Sequence, residues 1–117
     1  MADALKIYIS GPMTGLPEHN YPAFHDAARS LRAMGFSVSN PAEYPHDGPP
    51  ETFPIRKAFA AYCDFLCLQA DAICMLPGWQ TSQGAQIEYR LARYLGLDVF
   101  TWANEHLHRL VKGAANG

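Results

Sequence analysis

The sequence predicts a single α/β domain in which a mostly parallel sheet of about four to five strands is covered by helices on both faces. Three observations point there. Short apolar runs alternate with segments whose apolar residues recur at helical spacing. One run, Ala72-Ile73-Cys74-Met75-Leu76, is apolar throughout, as strands buried on both sides of a parallel sheet are. The 117 residues, 49% of them hydrophobic, suffice for one core but not for a second of ordinary size. Residues 1–117 therefore read as one domain.

Leu5-Lys6-Ile7-Tyr8-Ile9 forms the first predicted strand, closed by Ser10-Gly11-Pro12. A loop with Gly15 and Pro17 leads to a helix that Asn20 can cap, with Pro22 tolerated in its first turn. Phe24, Ala27, Ala28, Leu31 and Met34 supply its buried stripe, and Gly35 ends it. Phe36–Ser39 is the second strand. Residues 41–54 contain five of the nine prolines, which excludes a continuous helix or central strand. A loop this long in a small domain suits either a lid or a rigid surface excursion. As a lid it would bring Tyr44 and Phe53 onto a ligand, with His46 or Asp47 touching it. Thr52 to Gln69 is the next helix, with Thr52 as its cap and Ile55, Phe59, Tyr62, Cys63 and Leu66 on one face. The apolar third strand follows, then a turn through Pro77-Gly78-Trp79. Ser82 to Leu95 is a helix stopped by Gly96, and Asp98–Trp102 is the fourth strand. A short helix near 105–111 and a loose Gly/Ala tail complete a βαβαβαβα order. In such sheets ligands bind outside the carboxyl ends of the strands, so the loops at 10–20, 40–53, 77–84 and 102–106 are the candidate site.

Composition narrows the partners. The net charge is −2 and the nine basic residues are scattered, so no nucleic-acid stripe is expected. No apolar run approaches the roughly 20 residues of a membrane helix. The start, MADALKIYISG, lacks the pattern of a signal peptide. Cys63, Cys67 and Cys74 suit packing in a cytoplasmic chain rather than a disulfide scaffold. The five histidines show no zinc spacing, and neither a metal nor another cofactor is expected. Small molecules remain the expected partners.

Glu88 is the residue that breaks the pattern. Its helical neighbours one turn away are Gly84, Ala85, Leu91 and Ala92, small and apolar. A carboxylate on such a stripe is expensive to bury unless partnered or functional, and the small residues leave room for a ligand. The alternatives are an edge position in solvent or a pair with Arg90 or Arg93. Ser82-Gln83-Gly84 opens the same helix, where free amides and the helix dipole can hold an anion, or where the serine is simply a cap. Ser10-Gly11-Pro12-Met13-Thr14-Gly15 is a similar loop after the first strand, without the lysine of a Walker loop. Asp64 reads as a surface acid on the polar side of its helix. Tyr8 lies in the first strand, where its hydroxyl needs a partner.

Taken together, Tyr8 in IYISGP, Asp64 in the helix before the third strand, and Ser82-x-Gly84-x3-Glu88 resemble the nucleoside 2-deoxyribosyltransferase superfamily. The likeness is closer to its small, often phage-encoded members, which share YISGPMTG, LPGW and SxGAxxE. The likeness covers nearly the whole chain and implies a Rossmann-like or flavodoxin-like three-layer sandwich. It implies Glu88 as nucleophile, Tyr8 as the residue that orients it, and Asp64 as the acid assisting at the base. Ser82 matches the serine that contacts a 5′-phosphate in the nucleotide N-hydrolases of the superfamily. Substrate contacts would come from Ser10, Gly11, Pro12 and Met13 and from Ser82 and Gly84. A polar residue from a neighbouring subunit, Asn104 or its rival His106, would complete the site. That implies a homodimer or larger homo-oligomer, for which Trp79 and Trp102 are candidate anchors. The expected activity is cleavage of an N-glycosidic bond, or deoxyribosyl transfer, on a nucleotide or nucleoside. The rivals are a non-catalytic nucleotide-binding protein, acting as a sensor or sponge, and a subunit of a larger nucleotide-processing complex.

Overall fold

A computed structural model describes residues 4–113, and the expected Gly/Ala tail at 114–117 lies outside the described residues. The elements are β1 (Lys6–Ser10), α1 (Tyr21–Ala33), β2 (Ser37–Ser39), α2 (Ile55–Leu68), β3 (Ala72–Met75), α3 (Gln83–Tyr94), β4 (Asp98–Ala103) and β5 (His106–Val111). They build one five-stranded sheet in the order β2-β1-β3-β4-β5. The first four strands are parallel, with Tyr8 paired to Ser39 on one side and Ile73 on the other. This is the α/β, mostly parallel sheet that the alternation of elements implied, and its strand order is consistent with the flavodoxin-like arrangement that the resemblance implied.

The period of two along β1 sorts its side chains between layers. Ile7 and Ile9 join Phe24, Ala27, Ala28 and Leu31 of α1 on one face. Tyr8 joins Leu66 of α2 and Ala85 and Ala92 of α3 on the other. The chain leaves β1 towards β2 and leaves β3 in the opposite direction towards β4. The order of strands therefore reverses between β1 and β3, and a crevice opens at their carboxyl ends. Gly11 makes the exit from β1 possible, since a Cβ there would lie 2.8 Å from Cβ of Leu76.

Four local expectations need correction. The helix expected near 105–111 is the antiparallel strand β5. Asn104 and Glu105 both take left-handed backbone, with φ of 52° and 61°. Two such residues match the tight turn that joins antiparallel strands, so the chain doubles back on β4. Thr52 does not cap α2; it ends a short 3-10 turn, Pro50–Thr52, and Pro54 stands at the helix start with no side-chain cap. Asn20 occupies the cap position of α1 in a left-handed conformation, and its amide donates instead to the Pro12 carbonyl at 2.9 Å. That bond ties the loop after β1 across to α1. Trp102 is not an exposed anchor: it is 8% exposed and packs in the core on the α1 side of the sheet. Trp79 is half-buried and stacks against Tyr89, with ring centroids 4.7 Å apart.

Candidate active site

The carboxyl ends of β1 and β3, the start of α3 and one side of α2 enclose a cleft of about 950 Å3. Tyr8, Ser10, Gly11, Pro12 and Met13 reach it from β1 and the loop that follows, and Ser82, Gly84 and Glu88 reach it from α3. The β–loop–helix geometry thus unites eight residues that are scattered from position 8 to position 88 in the chain.

Glu88 is 6% exposed, so the alternative of an edge position in solvent does not hold. Nor is it paired with arginine: Arg93 donates to the Tyr89 hydroxyl, and Arg90 is exposed. Both carboxylate oxygens are instead held by hydroxyls from one strand. The Tyr8 hydroxyl donates to Oε2 and the Ser10 hydroxyl to Oε1, each at 2.6 Å. Such short contacts are typical of hydrogen bonds to an ionised oxygen. Burial nevertheless dominates and pushes the Glu88 carboxyl up from 4.5 to about 7, against the two hydrogen bonds that favour its charged form. Burial first, and then the neighbouring Glu88 charge, hold the Tyr8 phenol well above its ordinary 10. Tyr8 therefore keeps its proton and stays a donor through the whole neutral range.

Ser82 caps α3, its hydroxyl oxygen accepting from the Ala85 amide at 3.2 Å. The hydroxyl proton remains free to donate towards the cleft. The first amides of α3 have no intrahelical partners. Gly84 leaves space beside them: a Cβ there would meet nothing nearer than Phe59 at 4.0 Å.

Asp64 is not in this group. It is exposed and lines a second depression of about 480 Å3 between the end of β2 and α2. Tyr62 and Pro41 stand between the two hollows and line both, and the Tyr62 hydroxyl donates to the Pro41 carbonyl at 3.3 Å. Asn104 sits at the exposed tip of the β4–β5 turn with His106 beside it, and neither lines the cleft of its own chain. The aromatics of the proline-rich segment pack on one another, Tyr44 against Phe53 and Tyr62, and His46 against Phe53. Among the described residues of that segment, Pro41 alone lines the cleft.

A family model described as a domain of unknown function, DUF4406, matches residues 5–101. The chain belongs to the DUF4406 family. No curated protein matches it. The matched span takes in Tyr8, Ser10, Ser82 and Glu88 and leaves Asn104 and β5 outside.

Two features of this DUF4406 domain were missed in the sequence. Phe59 and Tyr62 read as core positions of α2, yet they form the aromatic wall of the cleft. Their spacing with Ile55 was visible, but the spacing does not say whether a stripe meets the sheet or a cavity. The second is charge. Among the described residues no lysine, arginine or histidine lines the cleft. Nor is any group of three His, Cys, Asp or Glu side chains among the described residues placed to hold a metal ion. Glu88 is thus the one carboxyl group among the described residues that line a hollow otherwise of apolar, hydroxyl and amide groups. No helix of the described residues is long and apolar enough to cross a membrane.

Proposed function

We propose that this domain cleaves the N-glycosidic bond of a nucleoside or nucleotide, or moves its deoxyribosyl group to another base, with Glu88 facing the anomeric carbon. The observation that carries this reading is Glu88 itself: a carboxylate buried beside an apolar cleft, held on both oxygens, with no cationic side chain among the described residues that line the cleft. Buried charge of that kind is destabilising and persists where the chemistry uses it. The motifs shared with the nucleoside 2-deoxyribosyltransferase superfamily support the same reading.

In the first step the bond from C1′ to the base nitrogen breaks and its electron pair leaves with the base, which gains a proton from water. Positive charge builds on the sugar, and ionised Glu88 either screens it or bonds to C1′ from the opposite face. Water then takes the sugar in hydrolysis, or a second base takes it in transfer. Phe59 and Tyr62 offer rings against which a base can stack. Asp64 lies behind Tyr62, so the reading does not depend on it as the acid.

Charge bears on the substrate. The serine match favours a 5′-phosphate, which Ser82 and the α3 amides would hold. A dianion placed near Glu88 without a compensating cation would raise that carboxyl further and keep it protonated. Electrostatics therefore favour the uncharged nucleoside. The test is incubation with a panel of 2′-deoxynucleosides and their 5′-monophosphates while following free base. Base release from at least one member is expected, fastest with nucleosides. Binding without release across the panel would replace this reading with that of a nucleotide-binding protein.

A further inference from the structure

We infer that Ser10 is a positioning residue for Glu88 and not a contact for the substrate. The inference rests on the reading of Glu88 given above. A serine hydroxyl has one proton to donate, and that of Ser10 goes to Oε1 of Glu88 at 2.6 Å. The residue is 1% exposed, which leaves almost no surface for a ligand to reach. Its backbone is equally committed. Ser10 pairs with Met75 of β3, and its carbonyl accepts from the Leu76 amide at 2.8 Å. The next residue, Gly11, packs against Leu76 closely enough that a Cβ on it would lie 2.8 Å from Cβ of Leu76. Ser10 thus presents its hydroxyl from the most constrained part of the sheet, which is what orienting a reacting group requires.

The two donors share a face because they are two residues apart on one strand. Tyr8 fixes one oxygen and Ser10 the other, so the carboxylate can neither rotate about its terminal bond nor swap oxygens without breaking a hydrogen bond. The two bonds also favour the charged form of a group whose burial opposes it. The titratable groups that face Glu88 are Tyr8 from β1 and Tyr62 and Cys63 from α2. Burial raises all three above their ordinary values, so all are neutral at pH 7. The β3 side chains on this face, Ile73 and Met75, are apolar. Hydroxyl donors are therefore the means by which the described residues favour the ionised form of Glu88, and Ser10 is one of two.

The experiment follows Glu88 directly by carbon NMR of glutamate side-chain carboxyls, assigned with Glu88→Gln, in the wild type, Ser10→Ala and Ser10→Cys. The cysteine variant keeps the shape with a poorer donor and serves if the alanine variant does not fold. Glu88 is expected to titrate near pH 7 in the wild type and at least one pH unit higher in Ser10→Ala, with Ser10→Cys between. One unit is about tenfold in the ionised fraction on the acid side. Base release by Ser10→Ala should fall about tenfold at pH 6 and recover to within about threefold at pH 9, with KM little changed. Unchanged titration in both variants overturns the positioning role, whatever happens to activity. Shifted titration in a protein that releases no base upholds it and sinks the glycosidic reading instead.

Discussion

Ile7 and Ile9 point from β1 to one side of the sheet and Tyr8 and Ser10 to the other, and all four are almost wholly buried. The two faces differ in chemistry, not in burial. Towards α1 the strand packs carbon on carbon, and that face stabilises the fold in proportion to its area. Towards α3 the same strand spends its buried positions on two hydroxyls that serve one carboxylate. Those hydrogen bonds offset only part of the cost of drying Glu88, as its carboxyl near 7 records. One strand thus carries a structural face and a face where stability is given up for a buried carboxylate, the group on which the proposed chemistry rests.

The comparison can be broken most easily on the apolar side. Ile9→Ala should lower stability by about 2–5 kcal/mol through lost burial and the cavity left behind. The pH at which Glu88 titrates should not move. Chemical denaturation measures the first and NMR titration the second, and a shifted Glu88 would show that the two faces are not independent.

Glu88→Gln should act in the opposite direction. Below about pH 4.5 Glu88 is protonated in both folded and unfolded chains and contributes nothing. Between 4.5 and about 7 the folded chain keeps a proton that the unfolded chain releases, so stability falls as pH rises. Above 7 the full penalty applies, on the order of 3 kcal/mol. The glutamine variant escapes it, so its stability relative to wild type should climb from pH 4.5 to 7 and then level off. Urea midpoints at pH 4 and pH 8 are the check, and an equal difference at both pH values would contradict a buried, raised carboxyl.

Tyr8→Phe removes one of the two bonds to Glu88 and should cost about 1.5–3 kcal/mol while Glu88 is ionised, less when it is protonated. Ser82→Ala is the smallest change. As a cap alone it should lose about 1 kcal/mol of stability. If the serine also reads a phosphate, kcat/KM for a monophosphate should drop by about one to two orders of magnitude while the matching nucleoside loses little. Equal losses for both substrates would leave Ser82 as a cap only.

Much of this was legible in the residues. The alternation of apolar runs and helical stripes carried the four parallel strands and three helices, and Gly35 and Gly96 end α1 and α3 with the positive φ expected of them. Glu88 stood out because its helical neighbours are small and apolar. What was not legible depended on partners distant in sequence. His106–Val111 shows no sustained alternation, and a six-residue segment after a turn without glycine carries little signal until β4 is there to pair with it. Ser10 looked like a loop residue open to ligand. Its parity with Tyr8 was readable, yet only α3 laid across β1 reveals that both hydroxyls meet one carboxylate. Asp64 has the right place in the chain, but its helix turns it towards the neighbouring hollow.

The central claim is that ionised Glu88 performs the chemistry at the cleft. The most direct measurement is the pH dependence of base release for the wild type beside Glu88→Gln, using the best substrate of the panel. The wild-type rate should rise with pH through about 7, as Glu88 loses its proton. The glutamine variant, folded and still able to bind, should fall by about three orders of magnitude or more above pH 8 and show no rise through pH 7, so that the gap narrows as the wild type is protonated at lower pH. Base release by Glu88→Gln at the wild-type rate would contradict the account.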